Sequence, residues 1–241
     1  MHQTCSILKP QDYLMKPFFY CLILIMCYAC GKEKIVQLPE INHSKISKIN
    51  DVSAAYLFYD ETAKDTVELN RKNLISTTNW LVNVDKRLTL RQAIPKIMFL
   101  QDKKKNAELH KNENAKNFYT CNDVSKHSLG FVDFTDVTYH LDTFKNKNNI
   151  PENNQLITIT VQSLDSITVS FTIDEATLSH TSNHDQLLTH LETNIIKEGK
   201  AIIILEFSKN LSFQDYITLK HVLSKIDLKN VNIADDEFVF N

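Results

Sequence analysis

The clearest alternation of apolar and polar residues lies between residues 156 and 173. Two runs alternate there, and a Ser-Leu-Asp-Ser turn at residues 163–166 separates them. A period of two residues on either side of a turn predicts a β-hairpin. Residues 201–205 are instead apolar without interruption, which is typical of a strand buried on both faces. We therefore expect this run to form the central strand of a sheet.

Two stretches near this apolar strand carry apolar residues at helical spacing, at 187–196 and 216–226. Ser182 and Ser212, each followed three residues later by an aspartate, are the predicted N-caps of these helices. Short β-rich runs end the chain. The predicted order from residue 155 onward is therefore β-β-α-β-α-β.

The first half of the chain shows a weaker version of this pattern. The predicted strands are residues 54–59, 66–69, 80–84, 117–121 and 131–139. A helix follows the third of them, and Thr89 with Gln92 three residues later fits a capping box at its start. Pro95 requires either a kinked helix or a regular helix that starts only at Ala93.

Changes in composition predict the domain organisation. Residues 31–50 are polar and are predicted to be a tether. Residues 51–142 would form a first module, and residues 143–154, which are rich in Asn and Lys, a linker. Residues 155–241 would form a second module. The sequence thus predicts an α+β fold of two small modules, each with β-hairpins and helices packed on a sheet.

The two modules repeat one pattern. Residues 81–92 and 203–214 each contain an apolar strand, a polar basic turn and a hydroxyl residue that caps a helix. The two segments align with one residue of slip. A divergent duplication would produce this repeat, although any unit of strand, turn and capped helix would look similar. Both interpretations stay open at this point.

A short apolar run precedes the tether. Lys16 comes before residues 18–29, the small residue Ala29 ends the run, and Cys30 follows directly. A basic start, a short apolar centre and a small residue at the exit are typical of an export signal. The run is much shorter than the roughly 20 residues that a membrane-spanning helix needs.

A cysteine directly after the small residue resembles the signal of bacterial lipoproteins. The resemblance implies that residues 1–30 are the signal and that Cys30 carries the lipid. The protein would then be anchored to a membrane of the bacterial cell envelope, facing the periplasm or the outside. Cys27 departs from the usual lipoprotein pattern, which has an aliphatic residue there. The alternatives are a retained anchor and an ordinary cleaved signal, and Met15 would itself serve as a start.

The order of elements in the second module resembles the periplasmic domain of the ExbD/TolR family. The shared pattern is an apolar strand, a polar turn, a hydroxyl cap, a helix and a final strand, within residues 155–241. The resemblance implies a link to ExbD/TolR-type transport machinery. Motor subunits of that family carry an aspartate in a transmembrane helix, whereas residues 18–29 contain no acid. Proton conduction is therefore not implied.

Composition excludes several classes of function. The formal net charge of -2 offers no basic face for nucleic acid. The chain has three glycines, which excludes the glycine-rich loops that hold phosphates. Cys121 is the one cysteine after Cys30, and we predict a buried structural thiol rather than a nucleophile.

We predict no catalytic residue, no metal site and no cofactor. The best metal candidates are His180, His184 and His190 with Asp185 beside them. The spacing of His184 and His190 places them on different faces of a helix, however, whereas zinc ligands must converge.

Two groups of acidic residues have structural interpretations. Asp133 and Asp136 lie in a β-rich run and are predicted to be solvated acids that face outward. Residues 235–237 are three consecutive acids, which we interpret as a turn between the last two strands; as a calcium site they lack the required ligand spacing.

Two functions from different classes stay open. The first is a membrane-tethered envelope lipoprotein that is not an enzyme and binds other envelope proteins through an exposed strand edge or a helix face. The alternative is an exported hydrolase with an unrecognised active site, which would need a pocket with convergent polar side chains.

Overall fold

Two six-stranded sheets and three α-helices make up the described part of the chain. The computed structural model describes residues 34–107, 112–145, 154–173, 176–194, 200–226 and 230–241. The predicted α+β class with two sheets is therefore confirmed. The predicted signal and Cys30 lie outside the described residues. No helix in the described ranges is long and apolar enough to cross a membrane.

The first sheet is built from the first half of the chain. Its strands are β1 Glu40–Ile41, β2 Val52–Tyr59, β3 Val67–Asn70, β4 Asn79–Val84, β5 Asn117–Asp123 and β6 Ser128–Asp133. The spatial order is β3-β2-β4-β5, and β1 and β6 also pair with β5. Strands β2, β4, β5 and β1 are parallel to their partners, whereas β3 and β6 are antiparallel.

The second sheet contains the predicted hairpin. Its strands are β7 Thr138–His140, β8 Asn154–Ser163, β9 Ser166–Ile173, β10 Ala176–Ser182, β11 Lys200–Ser208 and β12 Val231–Phe240. Their order is β10-β9-β8-β11-β12-β7. Strand β11 lies inside the sheet, and its residues Ile203 and Leu205 are fully buried. The predicted central strand is thus confirmed, because an apolar strand of this kind needs cover on both faces.

The helices are α1 Leu90–Lys105, α2 Leu187–Asn194 and α3 Phe213–Leu223. Gln92 Oε1 accepts a hydrogen bond from the Thr89 backbone N–H at 2.8 Å, as the predicted capping box requires. Ser212 Oγ accepts a hydrogen bond from the Asp215 backbone N–H at 3.1 Å at the start of α3. Both predicted caps are confirmed. Each satisfies a backbone N–H that the helix itself leaves free.

Two details of the helices differ from the prediction. Ser182 is the last residue of β10 and does not cap α2. Asn183 Oδ1 instead accepts a hydrogen bond from the Gln186 backbone N–H at 3.0 Å. Helix α1 runs through Pro95, so the alternative start at Ala93 is wrong. Proline lacks the N–H that would bond to the preceding turn, and packing of the apolar face offsets that loss.

The two halves repeat one topology. In the first half the strand order β3-β2-β4-β5 has one antiparallel pair followed by two parallel pairs, and β9-β8-β11-β12 has the same order and directions. Helix α1 joins β4 to β5 as α3 joins β11 to β12. This repetition favours the predicted duplication.

The two halves meet where α1 and α3 begin. The two N-cap residues, Thr89 and Ser212, form an antiparallel bridge. The Leu90 N–H donates to the Leu211 carbonyl at 2.9 Å. In the opposite direction, the Phe213 N–H donates to the Leu88 carbonyl at 2.7 Å. Equivalent residues thus contact each other reciprocally, as they would about a two-fold axis.

The predicted boundary between two separate modules is wrong. Val36–Asn241 forms one compact unit, and one hydrophobic core cluster includes residues of both sheets. Strand β7 belongs to the predicted first module by sequence, yet it pairs with β12 of the second sheet. The cause is that long-range pairing buries Tyr139, which a local pattern does not reveal. Most of the predicted linker, residues 146–153, lies outside the described residues.

The tether predicted over residues 31–50 is also wrong in its second part. Strand β1 pairs with β5, and Ile41 is buried. Gln214 on α3 makes two hydrogen bonds to the Glu40 backbone, at 2.8 and 3.0 Å. The carboxylate of Asp123 accepts from the backbone N–H groups of His43 and Ser44. This segment is therefore part of the folded unit, because both its backbone and its apolar side chain have partners there.

Candidate functional site

A fully buried carboxylate, Glu237, lies on β12 between β11 and β7. It stands opposite Leu205 on one side and Tyr139 on the other. Its Oε1 accepts from the ammonium of Lys220, and its Oε2 accepts from the Tyr216 hydroxyl at 2.8 Å. A charge is tolerated in such a position when it is paired and hydrogen-bonded. Both oxygens of Glu237 meet that condition.

Three tyrosines extend this contact into the first half of the chain. The hydroxyl oxygens of Tyr216 and Tyr139 lie 3.0 Å apart, and those of Tyr139 and Tyr119 lie 2.5 Å apart. Each phenol has one proton to donate. Because Tyr216 donates to Glu237, Tyr139 must donate to Tyr216 and Tyr119 to Tyr139. One directed hydrogen-bond chain therefore joins β5 of the first sheet to β12 of the second.

The tyrosines keep their protons at neutral pH. Burial raises the pKa of each well above 10.0, and the negative charge of Glu237 raises the pKa of Tyr139 and Tyr216 further. An ionised phenol here would lose its hydration and would repel the carboxylate. The three tyrosines therefore act as neutral hydrogen-bond donors that stabilise Glu237.

Local sequence explains how α3 supplies two of these groups. Tyr216 and Lys220 are four residues apart, so they lie on the same face of the helix. That face packs against β12, where Tyr216 is fully buried. The side chain of Lys220 is 16% exposed. Its aliphatic stem covers apolar surface while its ammonium reaches the carboxylate.

Two cavities lie beside this hydrogen-bond chain. One has a volume of about 420 Å³, and Lys220 forms part of its wall. The other has a volume of about 400 Å³, and Tyr139 forms part of its wall. The chain of side chains from Lys220 to Tyr139 therefore connects the two cavities. We define them as the Lys220 cavity and the Tyr139 cavity.

The Tyr139 cavity contains a second unusual lysine, Lys104, at the end of α1. Its Nζ donates to the Lys116 carbonyl and to Asn117 Oδ1, both at 2.9 Å, and lies 5.1 Å from the centre of the Trp80 ring. Burial lowers the pKa of Lys104 to about 8. Part of the population is therefore neutral slightly above physiological pH, when the amine is nucleophilic.

Cysteine chemistry is absent from this site. Cys121 on β5 is a free thiol and is fully buried. Burial raises its pKa to about 12. A thiol of this kind is rarely ionised and is therefore a poor nucleophile. The prediction that Cys121 is buried is confirmed.

The histidines considered as metal ligands are spread over two elements. His180 lies on β10, His190 lies in α2, and His184 lies in the turn between them, with its Nε2 3.3 Å from Asp185 Oδ1. Within the part of the chain that the structure describes, no group of three or more His, Cys, Asp or Glu residues could hold a metal ion.

The acidic residues singled out in the sequence have two different outcomes. Asp136 is exposed, and Asp133 is partly exposed and accepts from Lys116 at 2.9 Å, so the prediction of solvated acids that face outward is confirmed. The predicted turn at residues 235–237 is wrong. Strand β12 runs through these residues, and Glu237 is fully buried.

The buried network of Lys220, Glu237 and the three tyrosines was not predicted from the sequence. A local signal existed for Glu237, because it lies two residues before the apolar Val239 in the same β-rich run. Residues two apart on a strand share a face, and Val239 is buried. The partners Tyr139 and Tyr119 lie far away in sequence. Only the tertiary fold brings them together.

Comparisons with known proteins give no relative. No family model matches the chain, no curated protein matches it, and no solved structure matches its fold.

Proposed function

We propose that the chain is a membrane-tethered protein-interaction module of the bacterial cell envelope and not an enzyme. In this proposal Cys30 carries the lipid, and the folded unit binds an extended segment of a partner protein along β10. The observation that carries the proposal is the edge of the second sheet. This edge is long, regular and exposed.

Strand β10 pairs with β9 along its whole length, from Ala176 to Ser182, without a break in register. No strand in the described ranges pairs with its other side. Six of its seven residues are exposed. A free edge of this length presents a row of backbone donors and acceptors to which another strand can add.

Other sheet edges in the described part are protected, whereas β10 is not. Strand β3 is four residues long and is followed by Arg71 and Lys72. Strand β6 is covered by a bridge between Phe131 and Ile46. Short length, positive charge and cover are the usual means of preventing edge-to-edge pairing. Strand β10 contains no lysine, no carboxylate and no proline.

The two faces of β10 indicate the chemistry of the partner. Leu178 is 61% exposed and stands opposite the buried Phe171, so one face would take an apolar side chain. The other face is a hydroxyl ladder, in which Thr177 bonds to Thr172 and Ser179 to Ser170, each at 2.9 Å. Matched pairs across strands favour association. The partner segment would therefore alternate apolar residues with serine or threonine.

The sequence pattern supports the envelope location. The lipoprotein-like signal would place the unit at a membrane, and the ExbD/TolR resemblance suggests transport machinery as the source of the partner. An exported hydrolase is the second candidate, favoured by a buried carboxylate beside a cavity. Glu237 is fully buried, however, and each of its oxygens already accepts from an internal partner, Lys220 or Tyr216, whereas a general base must come within hydrogen-bond reach of its substrate.

Photo-cross-linking in cells tests the binding edge. A photoreactive residue at Leu178 should form an adduct with an envelope protein, and the same residue at Leu129, which is 48% exposed on β6, should not. A photoreactive residue at position 180, also on β10, should form the same adduct. Leu178→Lys should abolish that adduct, because a charge opposes edge pairing. Equal adducts from positions 178 and 129 would contradict the proposal. An adduct between two copies of this chain would show that the β10 edge binds a second copy rather than another envelope protein.

The anchor has a separate test. Cys30→Ala should prevent labelling by a palmitate analogue and release the protein from membranes. Equal labelling of the native chain and the variant would refute lipidation at Cys30 and leave the edge proposal to stand on the cross-links.

A further inference from the structure

The Lys220 cavity lies between α3, β12 and the segment of residues 41–46 that follows β1. Most of its wall is apolar, formed by residues of both halves of the fold. They include Ile41, Phe131, Val137, Leu205, Leu223 and Ile233. Its volume of about 420 Å³ lies within the range of about 300–1,000 Å³ that small-molecule sites occupy. A mainly apolar wall with a few polar groups is typical of such sites.

Lys220 supplies the main polar group of this cavity. An ammonium has three N–H donors, and among the described residues Glu237 alone accepts from Lys220. Two donors therefore remain on a side chain that is 16% exposed. Buried donors without an acceptor are costly. An acceptor oxygen that enters the cavity would remove this cost.

His221 adds a second unsatisfied polar atom to the same wall. Its Nε2 is buried and has no hydrogen-bond partner among the described residues. Lys220 and His221 both form part of the cavity wall. The Nε2 of His221 has no accessible surface, however, so Lys220 is the donor that a ligand can reach.

The charge around Lys220 disfavours an anionic ligand. Glu237 already balances the ammonium, and three aspartates, at positions 133, 136 and 235, form part of the wall. The other cation of the wall, Lys45, is exposed and donates to the Ser224 carbonyl. A second carboxylate would therefore lose its hydration and meet more negative than positive charge. A neutral oxygen can use the free N–H donors without this cost.

We infer that the Lys220 cavity binds a neutral, mainly apolar small molecule whose carbonyl or hydroxyl oxygen accepts hydrogen bonds from Lys220. This site is distinct from the β10 edge, so the two proposals stand or fall separately. The ligand would contact residues of both halves and of the segment after β1, and it would therefore stabilise the whole folded unit.

Matched eight-carbon probes test the site on the native chain. Binding of 2-octanone, 1-octanol, octanoate and octylamine is measured by isothermal titration and by the increase in Tm. The ketone and the alcohol should bind at least tenfold more tightly than octanoate or octylamine. Absence of ketone binding, or a preference for octanoate, would overturn the inference without any variant.

A cavity-filling variant locates the binding. Ala234 forms part of the wall and lies beside the register shift of β12, where extra bulk meets no ladder partner. Ala234→Leu should weaken binding of the ketone at least tenfold while it leaves the contact between Lys220 and Glu237 in place. Leu141→Ala, at an exposed residue outside the cavity, is the matched control. Equal ketone binding by all three proteins would place the ligand elsewhere and refute the inference.

Discussion

Tyr119 and Glu237 occupy equivalent positions in the two halves of the fold. Tyr119 pairs with Val82 on β4, and Glu237 pairs with Leu205 on β11. Val82 and Leu205 stand at the same distance before the two N-cap residues that bridge the halves. The equivalent sites hold a phenol in one half and a carboxylate in the other, and the hydrogen-bond chain runs between them. The repeated topology is thus asymmetric at its centre.

The buried pair of Lys220 and Glu237 should show strong energetic coupling. Lys220→Met or Glu237→Leu alone should lower the free energy of unfolding by about 3–5 kcal/mol, because each leaves one buried charge without its partner. The double variant should lose much less than the sum of the two. Urea unfolding of the four proteins measures this cycle.

The control for that cycle is the surface pair of Lys116 and Asp133, whose side chains are 56% and 31% exposed. Lys116→Met should change the free energy of unfolding by less than about 1 kcal/mol. Additive effects of the Lys220 and Glu237 substitutions would show that the two charges do not depend on each other.

Asp123 should make the fold sensitive to acid. Hydrogen bonds from the Ser125 hydroxyl and from backbone N–H groups of Ser44 and His43 hold the pKa of Asp123 well below 3.8. A carboxyl group with a lowered folded pKa contributes stability above its unfolded pKa and loses it as the pH falls. The free energy of unfolding should therefore decline below about pH 4.

The test compares the native chain with Asp123→Asn by urea unfolding between pH 7 and pH 3. The variant should be less stable at pH 7 and should lose less stability on acidification. Asp136→Asn, at an exposed carboxylate, serves as the control. Parallel pH profiles for the native chain and Asp123→Asn would contradict this role.

Lys104 should make the fold more stable in alkali. Burial lowers its pKa from 10.5 to about 8 in the folded chain. Between these two values the unfolded chain binds one more proton than the folded chain, so the free energy of unfolding rises with pH. Lys104→Met should remove this rise, and Lys103→Met, at the exposed neighbour, should keep it. Differences between the proteins at pH 7, 8, 9 and 10 give the measurement.

Gly130 should tolerate no side chain. A Cβ atom at this position would lie 2.6 Å from Ser44 Cβ and 2.8 Å from Ser44 Oγ. Gly130→Ala should therefore destabilise the fold by about 1–3 kcal/mol, as overpacking does elsewhere. Ser44→Gly should restore part of that loss in the double variant, because it removes the atoms that clash. A double variant no more stable than the additive expectation would show that the strain lies elsewhere.

Local patterns predicted the elements well where each pattern has a local cause. The hairpin of β8 and β9, the apolar strand β11 and the Ser212 cap all follow from residues close in sequence. Alternation, continuous apolarity and a hydroxyl before a helix each have a short-range physical reason. The same holds for Cys121, since a lone apolar thiol in a β-rich run is usually buried.

Features that depend on distant pairing were not predictable. Strand β7 has three residues, and its position beside β12 is determined by the burial of Tyr139 next to Glu237. The acids at residues 235–237 were interpreted as a turn because charge usually indicates solvent. Glu237 is buried instead, because Lys220 and Tyr216 bind its carboxylate and two further tyrosines extend the network. Lys220 and Tyr216 lie on α3, whereas Tyr139 lies on β7 and Tyr119 on β5.

The incorporation of residues 37–44 into the fold sets the reach of the proposed anchor. With a lipid on Cys30, only residues 31–36 separate the lipid from the folded unit. Fully extended, these six residues span at most about 20 Å. The unit would then stay close to the lipid headgroups, within reach of partner segments from proteins at the same membrane surface.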